Sequence, residues 1–394
     1  MLDPFPFSTP PLLSLLSQKA ADYTSFHSLT LHIHEYLGAA LFYHSICLYI
    51  SPYVSAKLFP RSYTQLSART KLNWNVHVVS LVQSVVINTL ALWVIWADEE
   101  RWAMDYRERI WGYTGAGGLV QALAGGYFVW DLWVSTVHID LFGWGPLAHA
   151  VSALYVFSLG YVSRGILSPN LEVHYTLAAT DPSLQRPFVN YYGPIFILYE
   201  LSSPFLNFHW FFDKLHMTGS TAQLINGIVL MLSFFGSRLV WGPYQNINAF
   251  SDIFAAMRYQ NTVEGKAWLK APVSPSSSLS MGDSGKAARE IWRFQPERIP
   301  TWLAASYLIS STVLTVLNVY WFGKMVETIR KRFPPPFGTM SEKEAKKDAP
   351  DAQEVSAKRS VGEAGSKSVD VKQKEVRYRG VASKVANVPL PPPH

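Results

Sequence analysis

Three polar stripes at helical spacing, set inside otherwise apolar runs, are where this sequence could do chemistry. In Gly126–His138 (GYFVWDLWVSTVH), Asp131, Ser135 and His138 stand at i, i+4 and i+7 and share one helical face. A carboxylate and an imidazole on one stripe form a proton-transfer pair if both are buried. In the alternative reading Asp131 cross-links two helices and His138 sits among lipid headgroups. In Tyr199–Asp213 (YELSSPFLNFHWFFD), Glu200, Ser203 and Asn207 stand at i, i+3 and i+7, and Pro204 is expected to free a backbone carbonyl near Glu200 and kink the helix. That stripe reads as a polar binding site within a helix bundle, with His209 at the helix end as a further ligand contact or, together with Trp210, an interfacial anchor. His77, Ser80, Ser84 and Asn88 follow a third face, where His77 serves to bind or to anchor. Asn226, Ser233 and Ser237 form a softer stripe of the kind that helix packing uses.

His149, in PLAHAVSALY, stands alone on an apolar run. Such a histidine is either a satisfied core residue or, if the protein is an enzyme, a general base that Asp131 would assist. Walker loops, G-x-S-x-G, H-E-x-x-H and paired-cysteine zinc spacings are missing. His32 and His34 lie in a segment that reads as surface-like, so no metal site is expected there, and no cofactor is expected at all.

The elements that must position these residues are membrane helices. Charged residues make up 16% of the 394, against roughly 25% in soluble domains, while AVILMFWYC reaches 49%. A bilayer core needs about 20 predominantly apolar residues per helix, and seven stretches come near that. They are Tyr36–Val54, Val76–Trp96, Gly117–Val137, Pro146–Val162, Val189–Phe208, Leu224–Trp241 and Trp302–Phe322. Lipid leaves no water to satisfy open backbone groups, so helices are the economical reading. The fold class is therefore an all-α polytopic membrane protein. Trp93, Trp96, Trp111, Trp241, Trp302 and Trp321 fall near the predicted ends, as an aromatic belt requires.

Lys57, Arg61, Arg69 and Lys71 follow the first span, and Lys324, Arg330, Lys331 and Arg332 close the last. With an odd number of spans this places the first loop and the C-terminus in the cytosol. Asp3, four prolines and the lack of Lys or Arg before Lys19 do not read as a cleaved signal peptide. Residues 1–65 form an N-terminal segment with the first span. Residues 66–333 form the main domain, with a long flexible loop near 244–300. Residues 334–394, with 11 Lys/Arg, 8 Asp/Glu and a PLPPPH end, read as a disordered cytosolic tail. Its polyproline end could dock a protein partner. The net charge of +6 comes without a basic patch interleaved with aromatics, so nucleic acid is not an expected partner. The lone Cys47 leaves no disulfide framework.

The order of these features resembles the TLC-domain family, which includes ceramide synthases and the translocating-chain-associated membrane protein. The resemblance covers roughly residues 66–330. It rests on RTKLNWNVHVVS at Arg69–Ser80, GYFVWD at Gly126–Asp131, AHAVSALY at Ala148–Tyr155, and Glu200–Phe212, where His209 replaces the family's usual Arg. It implies six helices in a barrel around a lipid-accessible cavity, one more helix in front, and residence in the endoplasmic reticulum or a related endomembrane. Ceramide synthases carry an adjacent His-His pair and downstream paired acids that the family assigns to acyl transfer from acyl-coenzyme A. Here Ala148-His149-Ala150 and Asn207-Phe208-His209 occupy those places. The resemblance therefore points to the non-synthase branches, linked to phospholipid composition and membrane fluidity. Three functions follow in order: lipid homeostasis with a membrane lipid held in the bundle, an acyltransferase using acyl-coenzyme A, and a membrane-protein trafficking partner.

Overall fold

The structure, a computed structural model, describes residues 1–161 apart from 25 and 27, 188–270 and 298–332. All regular secondary structure among the described residues is helical, with no strand. The principal helices are α1 (Pro11–Thr24), α2 (Leu29–Leu58), α3 (Ala68–Ala97), α4 (Gly115–Val137), α5 (Trp144–Leu159), α6 (Ser203–Lys214), α7 (Thr221–Tyr259) and α8 (Thr301–Arg332).

Four of these are long and apolar enough to cross a membrane: Leu29–Leu58, Ala68–Ala97, Thr221–Tyr259 and Thr301–Ile329. Their outward faces carry Leu41, Leu48, Val85, Leu92, Ile228, Leu232, Ile309 and Val316, all exposed. In water such a surface would drive aggregation; in a bilayer it is solvated by acyl chains. The chain is thus a multi-pass membrane protein.

The other three expected spans take different forms. The third is α4, whose Gly115, Gly117, Gly118, Gly125, Gly126, Gln121 and Asp131 dilute its hydropathy because it is buried among other helices. The fourth is only 16 residues long, ending at Leu159. The fifth is no single α-helix but a run of short pieces: 3₁₀ at Asn190–Tyr192, α at Gly193–Phe196, 3₁₀ at Ile197–Ser202, then α6.

Two boundaries shift for a physical reason. The first span begins at Leu29 because Thr30, His32 and Glu35, which look surface-like in sequence, are buried. The loop expected near 244–300 begins as helix: α7 runs on to Tyr259, and Val263–Lys270 forms a further short helix. Ala249 and Ile253 are wholly buried there, and Arg109 grips Asp252 through Nε–Oδ2 at 2.6 Å and Nη2–Oδ1 at 2.9 Å. Residues 271–297 and the tail 334–394 lie outside the described residues.

Three prolines organise the irregularities. A proline has no N–H to give to the i−4 carbonyl, so the ladder must tighten or widen just before it. Ser51–Pro52 follows a π turn at Ile46–Ile50, Ser203–Pro204 follows the 3₁₀ run at Ile197–Ser202, and Gly242–Pro243 follows a π turn at Phe235–Trp241. Helices α2 and α4 pack closely because Gly125 and Gly126 lack side chains: a Cβ on Gly126 would strike the Tyr36 carbonyl and come within 2.8 Å of Ala39 Cβ. Small residues at a helix seam serve the same end throughout membrane proteins.

Candidate functional site

Asn207 on α6 is a hub. Its amide nitrogen donates to the Ser203 carbonyl at 2.9 Å and to Ser80 Oγ at 3.0 Å. A carbonyl can only accept, which fixes the amide orientation, so Asn207 Oδ1 accepts from His77 Nδ1 at 2.8 Å. That assigns the proton of neutral His77 to Nδ1. The His77 ring stacks on Trp210, centroids 4.2 Å apart and planes 22° apart. Ser80 is also the hydrogen-bond partner of the Tyr127 hydroxyl on α4. Asn207 and Ser80 are 0% exposed, so this network is sealed from the lipid.

One turn beyond Tyr127 stands Asp131, whose charged neighbour is Glu200. Glu200 accepts from Ser203 Oγ at 2.8 Å and faces Arg238 at 3.6 Å. The guanidinium of Arg238 is held by the Tyr199 carbonyl at 2.9 Å and Asn318 Oδ1 at 3.2 Å. His149 on α5 has Arg238 as its charged neighbour, and its ring lies 5.4 Å from that of Trp321. Side chains from α3, α4, α5, α6, α7, α8 and the 3₁₀ run thus meet in one buried cluster. It sets the Arg238 guanidinium against the Glu200 carboxyl group, with Asp131 in electrostatic reach of Glu200.

The backbone irregularities supply the aim. Glu200 leaves a 3₁₀ turn rather than a regular α-helix, and Arg238 sits in the π turn before Pro243. Both kinds of turn recur at functional sites because they redirect a side chain without ending the helix. Burying a lone guanidinium among hydrocarbon costs several kcal/mol; here the carboxylate, amide and carbonyl surround it.

The predicted residues are not all brought together. His77, Asp131, His149, Glu200, Ser203 and Asn207 belong to the cluster. Ser135 is buried on α4, one turn past Asp131. His138 leaves the stripe: α4 ends at Val137, and His138 is its half-exposed C-cap with φ −115° and ψ 36°. His209 is buried and faces α7 beside Gly227. Asp131 lies in electrostatic reach of the Glu200 carboxyl, and His149 in reach of the Arg238 guanidinium. Sequence reasoning missed Arg238, Tyr127 and Asn318. Arg238 carried a usable signal, a cation inside an apolar run four residues before a Gly-Pro step.

A cavity of about 30 Å³ lies apart from these residues, lined by Gln121, Phe157, Gly160, Val189, Tyr192 and Tyr307 among others. It has room for a water molecule, not for an acyl chain.

Outside the bundle centre, His32 was set aside in the sequence as surface-like. It is 1% exposed, and Asp3, His32 and Glu35 present ligand atoms all within 4.8 Å of one another. The Asp3 carboxyl is pushed up to about 6, first by burial.

A polytopic helical fold with a buried ionisable cluster defines the class, and comparison with known proteins places it. The chain matches the TLC-domain family over residues 73–185 and 173–327, and it belongs to that family. It is 31% identical over 304 residues to an uncharacterized TLC domain-containing protein of Schizosaccharomyces pombe, covering 77% of this chain and 81% of the relative. It is 24% identical over 317 residues to topoisomerase I damage affected protein 4 of Saccharomyces cerevisiae, covering 79% and 89%. Human TLC domain-containing protein 4 is 30% identical over 179 residues, 45% of this chain and 58% of its own length.

Proposed function

We propose that this TLC-domain protein acts in lipid homeostasis, holding a membrane lipid by its polar headgroup at the central cluster. The observation that carries the reading is the Glu200–Arg238 ion pair at 3.6 Å, both groups buried inside the bundle, with a second buried carboxyl, Asp131, in electrostatic reach of Glu200. Ionisable groups at membrane depth are costly and mark ligand or ion sites by default. A headgroup supplies the reason to keep them, because it brings hydrogen bonds and charge that hydrocarbon cannot. In this reading the chain crosses the membrane seven times, six crossings form a barrel around a lipid-accessible cavity, the residence is the endoplasmic reticulum, and the C-terminus is cytosolic.

The test is lipidomics of cells lacking the protein, rescued with wild type or Glu200→Gln at equal expression. The expected result is an altered phospholipid or sphingolipid profile that only wild type restores. A profile unchanged by the deletion removes the proposal.

A second reading has its own observation. His149 is buried inside the same cluster, beside Arg238. One base within reach of a nucleophile is enough for acyl transfer from acyl-coenzyme A to a lipid amine or hydroxyl. Purified protein given long-chain base and acyl-coenzyme A would form product, and His149→Ala would abolish it. Equal product from both proteins counts against that chemistry.

A further inference from the structure

We propose that Asp3, His32 and Glu35 form a binding site for a divalent first-row transition cation of the Zn²⁺ kind, at the start of α2 and separate from the central cluster. The three residues come from two segments that are distant in the fold's local order but pinned together. Residues 1–3 run against the N-terminus of α4, where the Gly115 amide donates to the Met1 carbonyl at 3.0 Å. The Phe5 amide donates to Asp3 Oδ1 at 2.9 Å, which leaves Oδ2 facing His32 Nδ1 at 3.4 Å. His32 and Glu35 lie three residues apart on α2, so helix geometry puts both on one face, with His32 Nδ1 at 2.7 Å from Glu35 Oε2.

These separations suit a shared ion. Ligands about 2.1 Å from a Zn²⁺ sit roughly 3.0–3.4 Å from one another, and the observed 2.7 and 3.4 Å bracket that range. An imidazole with two carboxylates is a mixed nitrogen and oxygen set, which selects borderline divalent metals over Ca²⁺ or Cu⁺. On binding, the metal takes the place of the proton at His32 Nδ1.

Two further observations point to a ligand. Glu35 is 1% exposed, yet its Oε1 makes no hydrogen bond among the described residues, the His34 Nε2 standing off at 3.6 Å. A buried carboxylate oxygen left over is costly, and a cation would satisfy it. The other face of His32 is built as a second shell: Nε2 meets the Tyr113 hydroxyl, and a Cβ on Gly118 would collide with that nitrogen. A ligating histidine usually gives its other ring N–H to such a partner, which fixes tautomer and ring orientation. Three protein ligands leave a coordination position open, as in sites that bind water or substrate.

The experiment uses the full chain without a histidine tag, purified in detergent and stripped with EDTA. Zn²⁺ is then titrated against a chromophoric chelator, with metal content measured by mass spectrometry. One tight Zn²⁺ per chain is expected. Asp3→Asn and Glu35→Gln should each weaken binding at least tenfold, and Tyr113→Phe should weaken it about 10–100-fold, the usual range for a second-shell partner. Asp3 is partly exposed, so Asp3→Asn keeps the thermal unfolding profile of wild type and stays decisive even if Glu35→Gln does not fold. No Zn²⁺ uptake by wild type, or uptake unchanged by Asp3→Asn, overturns the proposal.

Discussion

Asn207 serves His77, Ser80 and the Ser203 carbonyl with a single amide. Asn207→Leu should therefore cost about 1–3 kcal/mol, the penalty for leaving buried donors and acceptors unmade, read as a lowered unfolding midpoint in detergent. A midpoint equal to wild type would mean the network is dispensable. Arg238 carries more. Arg238→Met leaves the Glu200 carboxylate without its guanidinium, and breaking a buried pair costs about 3–5 kcal/mol. If the two charges act as a unit, adding Glu200→Gln recovers part of the loss. A double-mutant cycle with strictly additive effects would show that the 3.6 Å approach contributes nothing.

At the scale of elements, the α2–α4 seam depends on glycine. Gly126→Leu would drive a side chain into the Tyr36 backbone, and overpacking of this kind costs about 1–3 kcal/mol; unchanged thermal stability would contradict the close approach. The short helix Tyr106–Trp111 depends on its cap. Asp105 accepts from the Arg107 and Glu108 amides at 2.9 Å, while Glu108 reaches back to the Asp105 amide at 3.0 Å. Burial works against the Asp105 carboxylate, but the Glu108 amide and the Arg107 guanidinium outweigh it and hold the group below its ordinary range. A depressed carboxylate adds stability above its unfolded value, and that stability fades as pH drops through the folded one. Amide exchange at Arg107 and Glu108 should thus accelerate below about pH 3.9, and Asp105→Ala should lose about 1 kcal/mol at neutral pH. Exchange independent of pH after correction for intrinsic rates would rule the cap out.

For the whole molecule, the exposed apolar faces of α2, α3, α7 and α8 make one demand. Alkaline carbonate washing should leave the protein in the membrane pellet, and release into the supernatant would refute a multi-pass arrangement. Arg109, Asp252 and Tyr192 tie the segment after α3 to the far end of α7, with the Tyr192 hydroxyl donating to Asp252 Oδ2 at 2.6 Å. The guanidinium of Arg109 is held charged above its usual range chiefly by that carboxylate. This clamp is why residues past Trp241, polar enough to read as loop, continue as helix.

Composition and spacing alone were enough for the membrane class and the polar stripes, because apolar run length and the 3.6-residue period are properties of the chain itself; the family was legible only through resemblance of four motifs. They also placed His77, Glu200, Ser203 and Asn207 on faces that do meet. Which stripes face one another was decided only by packing. Asp131 comes into electrostatic reach of Glu200, since helix rotation about its axis is set by neighbours such as Tyr36 against Gly126 and not by local order. Arg238 entered the cluster through a π turn, and His32 was buried by residues about thirty and eighty positions away in sequence. Contacts of that separation leave no periodic trace, so only the folded chain could reveal them.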